Sequence, residues 1–170
     1  MFALMASDIR AKAQWVYGEN TSRARIKALL TDGSFAMVPY RLMQPSQRHH
    51  LSPLPLLFNK LNGIFGPLPI VRGPEFVAEF VLIHSYGVVI NSAVRCGKGV
   101  KIEHLVTIGA EGDESPILGD NVFVGAGAKI IGPITIGNNV KIGANAVVTK
   151  DIPPNTTAVG IPAKVMECGQ

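Results

Sequence analysis

VFVGAGAKIIGPITIGNNVKIGANAVV, residues 122–148, carries an aliphatic residue at every sixth position: Val124, Ile130, Ile136, Ile142 and Val148. A period of six is neither helical nor the alternation of a simple strand. The same spacing runs upstream through Ile90, Cys96, Ile102 and Ile108 and resumes at Leu118. Four residues beyond most of these stands a second inward candidate: Val94, Val100, Val106, Val122, Ala128, Ile134, Val140, Ala146 and Ile152. Gly often follows the first position, and Asn or Asp fills several of the turns, as in Asp120-Asn121 and Asn138-Asn139. Each unit therefore reads as a short strand and a tight turn that asks for positive φ. Six residues cannot bury their own apolar side, so successive units must wind into a coil around a stacked aliphatic ladder. The expected fold is mainly β: a parallel β-helix over residues 67–170, preceded at 1–66 by a helical arm and a Pro-rich lead-in.

The spacing breaks once. From Ile108 to Leu118 is ten residues instead of six, so four residues are extruded in AEGDESPI, and a loop that interrupts a strict coil is a candidate site element. In the arm, Ser7 is expected to cap a helix that stops at Gly18, Ser22 a second toward Leu30, and Ser34–Met43 to form a third.

Overall composition excludes several function classes. No run reaches the roughly 18 apolar residues of a membrane span, because Glu79 and the prolines between 51 and 70 interrupt the longest ones. The N-terminus lacks the charged lead and apolar stretch of a signal peptide, so the expected location is cytoplasmic. Two cysteines, Cys96 and Cys168, do not make a disulfide framework. The basic pI of 9.2 is unevenly sourced: residues 1–74 hold nine Lys/Arg against three Asp/Glu, and residues 75–170 hold seven against nine. Positive charge thus belongs to the arm, and no aromatic-basic interleaving accompanies it, so no nucleic-acid partner is expected.

Of the four histidines, His49 and His50 lie in a polar turn. His84 falls six residues before Ile90, where the repeat expects an aliphatic side chain. A polar ring there is costly unless it is bonded or displaced outward. From the residues alone, a satisfied core histidine and a catalytic one both remain open. His104 follows one coil of eighteen plus two later, which predicts that the pair sits on neighbouring strands of one face.

The phrases VFVGAGAKI (122–130) and IGPITIGNNVKIGANAVVTKDIPPNTTAVGIPAKV (131–165) resemble the hexapeptide-repeat acyltransferases, over about residues 75–166. That resemblance implies a left-handed coil with three units per turn, assembly as a homotrimer, and acetyl-CoA as acetyl donor in a groove between subunits. IHSYGVVIN (83–91) resembles the histidine segment of serine acetyltransferases and of colanic-acid-type polysaccharide acetyltransferases, which implies His84 as general base. Imidazole suits the task, since its unperturbed pKa of about 6.5 lets it take a hydroxyl proton near neutrality. The resemblance further implies acceptor contacts from His104 and from Glu111, Asp113 and Glu114 of the extruded loop. It also implies acetyl-CoA contacts from Ala126, Ala144, Thr149, Lys150 and Lys164. DGSFAMVPYRLM (32–43) resembles the helical lead-in of serine acetyltransferases. The acidic residue that orients the base in those enzymes aligns near Pro69, leaving Glu75 and Glu79 as substitutes.

These residues lead us to expect an acetyl-CoA-dependent O-acetyltransferase acting on a sugar or polysaccharide hydroxyl, without a metal. The alternatives are serine O-acetylation and, in other classes, a metal hydratase resembling the γ-carbonic anhydrases or a non-catalytic scaffold. Serine is placed second because the resemblance implies an acid immediately before the base and an Arg-His pair in the loop. This chain carries Ile83 at the first and Glu114-Ser115 at the second, so L-serine is expected to be a poor acceptor.

Overall fold

The computed structural model describes residues 2–48 and 75–166. One turn of a coil is made by β1 (Glu75–Phe76), β2 (Val81–Leu82) and β3 (Val89–Ile90). A second follows with β4 (Arg95–Cys96), β5 (Lys101–Ile102) and β6 (Thr107–Gly109), and a third with β7 (Ile117–Leu118), β8 (Phe123–Val124) and β9 (Lys129–Ile131). The fourth is β10 (Thr135–Ile136), β11 (Lys141–Ile142) and β12 (Val147–Val148). β13 (Thr157–Val159) then extends the coil, and β14 (Lys164–Met166) folds back antiparallel against it. Equivalent strands pair in parallel to give three sheets: a first of β1-β4-β7-β10, a second of β2-β5-β8-β11-β13-β14, and a third of β3-β6-β9-β12. This is a left-handed parallel β-helix with three strands per turn.

The period of six maps onto the core. Every ladder residue from Ile90 to Val148 is at most 3% exposed, and the second inward set, Val94 to Ile152, is buried as well. Cys96 is one rung of this ladder, and burial pushes its thiol well above the usual range, in keeping with an inert apolar filler. Two of the three corners reverse direction through left-handed residues in every described turn. At the corner between the first and second sheets these are Glu79, Gly99, Asn121, Asn139 and Asn155, the asparagines with φ of 56–60°. Their amides form a ladder of their own: Asn121 donates to Asn139 at 3.2 Å, and Asn139 to Asn155 at 2.8 Å.

A regular turn is eighteen residues, as where Ile117 pairs with Thr135. The first turn is longer by two, because Leu82 pairs with Ile102. This corrects the expected place of His84. Leu82 takes the core rung, fully buried, and the two extra residues carry His84 out of the ladder into the exposed corner after β2. The apolar pattern is satisfied, and no imidazole is buried in the ladder.

The arm comprises α1 (Phe2–Tyr17), α2 (Ser22–Leu29) and α3 (Asp32–Arg48). Gly18 ends α1 with φ 70°, its N–H bonding the Gln14 carbonyl at 3.1 Å. The start of α1 lies upstream of Ser7, because FALMA is a run of good helix formers. Thr21, one residue before the expected Ser22, caps α2 by accepting from the Ala24 N–H at 3.2 Å. α3 begins at Asp32 and places Ser34 inside the helix, where its hydroxyl donates to the Ala28 carbonyl at 2.6 Å. His49, His50, the Pro-rich lead-in, the expected 66/67 boundary, Pro69 and Cys168 lie outside the described residues.

The arm meets the coil in two ways. Trp15 of α1 lies against Phe123 of β8, with ring centroids 5.6 Å apart, and Lys101 of β5 sits over the same indole at 5.2 Å. That desolvation lowers the Lys101 pKa, against the opposing pull of Glu79. At the top of the coil, Ala36, Met37 and Tyr40 of α3 join Phe76, Phe80 and Leu82 in one continuous core. Phe76 stacks on Phe80 at 3.9 Å, and Tyr40 meets both edge-on. Among the described residues no helix is long and apolar enough to cross a membrane.

Coil-on-coil contact leaves no room at Gly125, where a Cβ would stand 2.8 Å from the Ala144 nitrogen and the Ile142 oxygen. Both are backbone atoms and cannot swing aside. Gly125→Ala is therefore expected to destabilise the fold by about 1–3 kcal/mol, read as a lower urea midpoint with an unchanged slope.

Candidate active site

Four stacked turns build the corner between the second and third sheets: Tyr86-Gly87, His104-Leu105, Ala126-Gly127 and Ala144-Asn145. Each hangs on the next through the backbone. Leu105 N donates to Tyr86 O at 2.8 Å, Gly127 N to His104 O at 2.9 Å, and Asn145 N to Ala126 O at 2.8 Å. The second residue of every turn has positive φ, Leu105 included at 58°. This column places His104, Ala126 and Ala144 directly above one another, with the bulged His84 segment at its head.

The His84 and His104 rings lie 6.0 Å apart, edge to face at 75°. They meet in stacked corners and not, as the spacing predicted, on neighbouring strands. His84 is exposed, so its ring can reach a bound acceptor; Ser85 beside it is buried at 3% and anchors the bulge. His104 is half-buried, with Nδ1 3.4 Å from a carboxylate oxygen of Glu103. Glu103 thus restrains the second ring, a role that sequence reading missed although the two residues are adjacent. Below the imidazoles, Ala126 and Ala144 present only methyl groups, which leaves a shallow strip along the corner.

The remaining candidates lie elsewhere. Thr149 and Lys150 follow β12 in the next corner, between the third and first sheets, and both are exposed. Glu111, Asp113 and Glu114 share that corner, in the extruded loop. Glu111 and Glu114 exchange backbone hydrogen bonds of 3.0 and 3.3 Å across Gly112, whose φ is 61°. Ser115 Oγ ties the loop back to Asn91 Oδ1 at 3.1 Å. Lys164 lies on β14, exposed at the far end of the second sheet. Of the two carboxylates expected near His84, Glu79 pairs with Lys98 at 3.2 Å, and Glu75 opens β1.

Between the loop and the first sheet is an open cavity of about 380 Å³, lined by Arg95, Ile117 and Thr135 from the sheet and by Asp113, Glu114 and Ser115 from the loop. Arg95 was not among the expected site residues. Its signal lay in the coil arithmetic: Arg95 pairs with Ile117 across the lengthened turn, so the residue outward on β4 must face the loop.

A model of the bacterial transferase hexapeptide family, six repeats, matches residues 115–150. A serine acetyltransferase of Helicobacter pylori is 37% identical over 142 residues, 81% of this chain and 83% of the relative. The chain belongs to the serine acetyltransferase-like hexapeptide-repeat acyltransferases. Soybean serine acetyltransferase without ligand superposes with a TM-score of 0.85 at 32% identity, over 96% of this chain and 68% of that one. A serine acetyltransferase solved in complex with CoA gives 0.87 at 27% identity, over 96% and 68%. The expected sugar or polysaccharide acceptor is overturned by these acyltransferase relatives, which are consistently serine acetyltransferases. The expectation of repulsion counted the loop carboxylates alone, whereas Arg95 lines the same cavity as Asp113 and Glu114.

The ring pair is directly testable. His104→Ala is expected to move the ring-proton resonances of His84 in the folded acyltransferase, since an aromatic neighbour 6.0 Å away is lost. Unmoved resonances would mean that the rings are apart in solution.

Proposed function

We propose that this chain is a serine O-acetyltransferase that moves the acetyl group of acetyl-CoA onto the hydroxyl of L-serine. The observation that carries the reading is the likeness to serine acetyltransferases over nearly the whole chain, helical arm included. The exposed imidazole pair at the head of the corner column supports it. In the proposed step, His84 takes the serine hydroxyl proton as the oxygen attacks the thioester carbonyl. The new C–O bond forms, the C–S bond breaks, and the proton returns to the CoA sulfur, giving O-acetylserine and free CoA. His104, steadied by Glu103, borders the same acceptor space. Within the cavity under the loop, Arg95 offers a cation to a carboxylate, and Asp113 and Glu114 offer anions to an ammonium group. A zwitterion can satisfy both charges.

The donor residues fit acetyl-CoA by chemistry. The methyl groups of Ala126 and Ala144 leave space for an extended pantetheine arm, and Thr149, Lys150 and Lys164, all exposed, offer a hydroxyl and two cations suited to phosphates. The imidazoles and the extruded loop lie at opposite corners of the third sheet. A homotrimer supports the reading because it lets the loop corner of one copy face the histidine corner of the next, with the groove between them holding the donor. Acetyl-CoA supply suits a cytoplasmic enzyme.

The deciding measurement is kcat/KM for L-serine with thiol release as readout, expected within the ordinary enzymatic range of about 10⁴–10⁸ M⁻¹s⁻¹. Serine turnover no faster than the uncatalysed background sinks the proposal. His84→Ala is expected to lower turnover by about 10²–10⁴ with acetyl-CoA affinity little changed, and Lys150→Ala chiefly to weaken acetyl-CoA. Light scattering at micromolar concentration should give the mass of three chains; a stable monomer refutes the shared groove.

A further inference from the structure

The residues that enter the corner column from the second sheet stack as Ile83, Glu103, Gly125 and Gly143, because Leu82 pairs with Ile102, Ile102 with Val124 and Val124 with Ile142. Charge therefore occurs at this level of the corner once. Among the described residues Glu103 is the one carboxylate of that corner. Its side chain is 23% exposed, so most of it is withdrawn from water. Yet no described Lys or Arg pairs with it, whereas Glu79 has Lys98 and Asp8 has Arg41. Only one oxygen is engaged: Oε2 meets His104 Nδ1 at 3.4 Å, and Oε1 takes no hydrogen bond from a described residue. A carboxylate so placed is costly unless a cation or several donors serve it, and one long contact to an imidazole does not suffice.

The place of Glu103 says which cation fits. Its carboxylate touches the His104 ring, which lies 6.0 Å from the His84 ring. Ile83, the residue before His84, carries no charge and stacks on Glu103 at the strand spacing of about 4.8 Å. A hydroxyl held on the His84 imidazole is thus about one coil from the Glu103 side chain. In a 1,2-amino alcohol the amino group sits on the carbon next to the one that bears the hydroxyl. We propose that Glu103 is a specificity-determining residue for the acceptor: Oε1 accepts a charge-assisted hydrogen bond from an ammonium group adjacent to the hydroxyl that is acetylated, while Oε2 keeps the His104 ring in place. The inference rests on acetyl transfer at the histidine corner with His84 as base. Asp113 and Glu114, in the other corner, are the competing readers of the same ammonium.

Three acceptors separate the charges in the full-length protein: L-serine, 3-hydroxypropionate, which lacks the ammonium, and ethanolamine, which lacks the carboxylate. The readout is the ratio of kcat/KM for L-serine to that for 3-hydroxypropionate, in which any general effect on the transfer step cancels. Glu103→Gln, nearly isosteric, is expected to lower this ratio about tenfold to a hundredfold, mainly through KM for L-serine, with acetyl-CoA Kd within about twofold of the parent. The same fall is expected in a His104→Gln background, where no effect can pass through the ring. If Glu103→Gln does not fold, Glu103→Ala decides by the same ratio. A ratio unchanged by Glu103→Gln overturns the proposal, as does a fall that disappears in the His104→Gln background or that Asp113→Asn with Glu114→Gln produces in its place. The two readings fail differently. Turnover of ethanolamine without turnover of L-serine removes serine as acceptor, and the effect of Glu103→Gln on ethanolamine against 3-hydroxypropionate then decides the role of Glu103. Turnover of neither ammonium-bearing acceptor overturns both.

Discussion

A strand of two residues has no stability of its own, so the molecule depends on one constraint: each turn of the coil must lie on another. The backbone bonds run from turn to turn, as Lys101 N to Val122 O and Phe123 N to Val140 O, each 2.9 Å, and the aliphatic side chains stack in the same direction. Such an array is stable in its middle and vulnerable at its ends, where a sheet presents unpaired donors and acceptors. At the top, the buried Asp8–Arg41 pair, Tyr40 and Met37 bond backbone groups of the first described turn. At the bottom, β14 turns back and closes the second sheet with an antiparallel strand. The arm is therefore packed into the coil's own core. A buried ion pair is a poor source of net stability, because desolvation of both charges offsets their attraction. Desolvation in fact dominates at Asp8, raising its pKa despite Arg41. What the pair contributes is a set of directional bonds to particular backbone atoms of the first turn.

Stacking also decides what a corner can display. A residue at the turn is repeated by its equivalents above and below, spaced by the distance between strands, about 4.8 Å. Two imidazoles in successive turns are thereby brought close without any dedicated loop, and two alanines beneath them make a continuous strip. Backbone hydrogen bonds hold this column, so its geometry is insensitive to which side chains it carries. The left-handed φ at the second residue of each turn is required by the reversal, and Leu105 accepts that strain where Gly or Asn would be easier.

The period of six made the coil legible, with every buried hydrophobic residue from Ile90 to Ile152 named, because the pattern there is imposed by packing alone. Helix ends were less accessible: Ser7 and Ser22 are plausible caps locally, but the FALMA run and the neighbouring Thr21 compete for the same role. His84 shows a subtler limit. Counting back in sixes from Ile90 reaches it, whereas the chain inserts two residues and uses Leu82, and only the pairing of Leu82 with Ile102 reveals the slip. The charge around the extruded loop was misread for a similar reason. Charges in a loop were read along the sequence, while Arg95, distant in sequence from the loop acids, shares their cavity through the lengthened turn. The loop acids and the histidine pair also occupy different corners, a separation that motif matching cannot express.

A strictly periodic coil has no unique place on it: every turn offers the same corner and the same face. Chemistry needs a singular site, so it must arise where periodicity fails. Among the described residues the chain departs from eighteen residues per turn three times. Two residues are added after β2, where His84 leaves the ladder. Four are added after β6, where the acidic loop leaves the surface. Two are removed after β12, where Ile152 pairs with Ile136 only sixteen residues back and the shortened corner carries Thr149, Lys150 and Asp151. The first of these falls in the corner that enters the third sheet, and the other two fall in the corner that leaves it. The second corner of the coil, between the first and second sheets, keeps its length throughout the central turns and is filled instead by the repeating asparagine ladder. One edge of the prism is thus devoted to holding turns in register, which frees the two edges flanking the third sheet to break the repeat without loss of the fold.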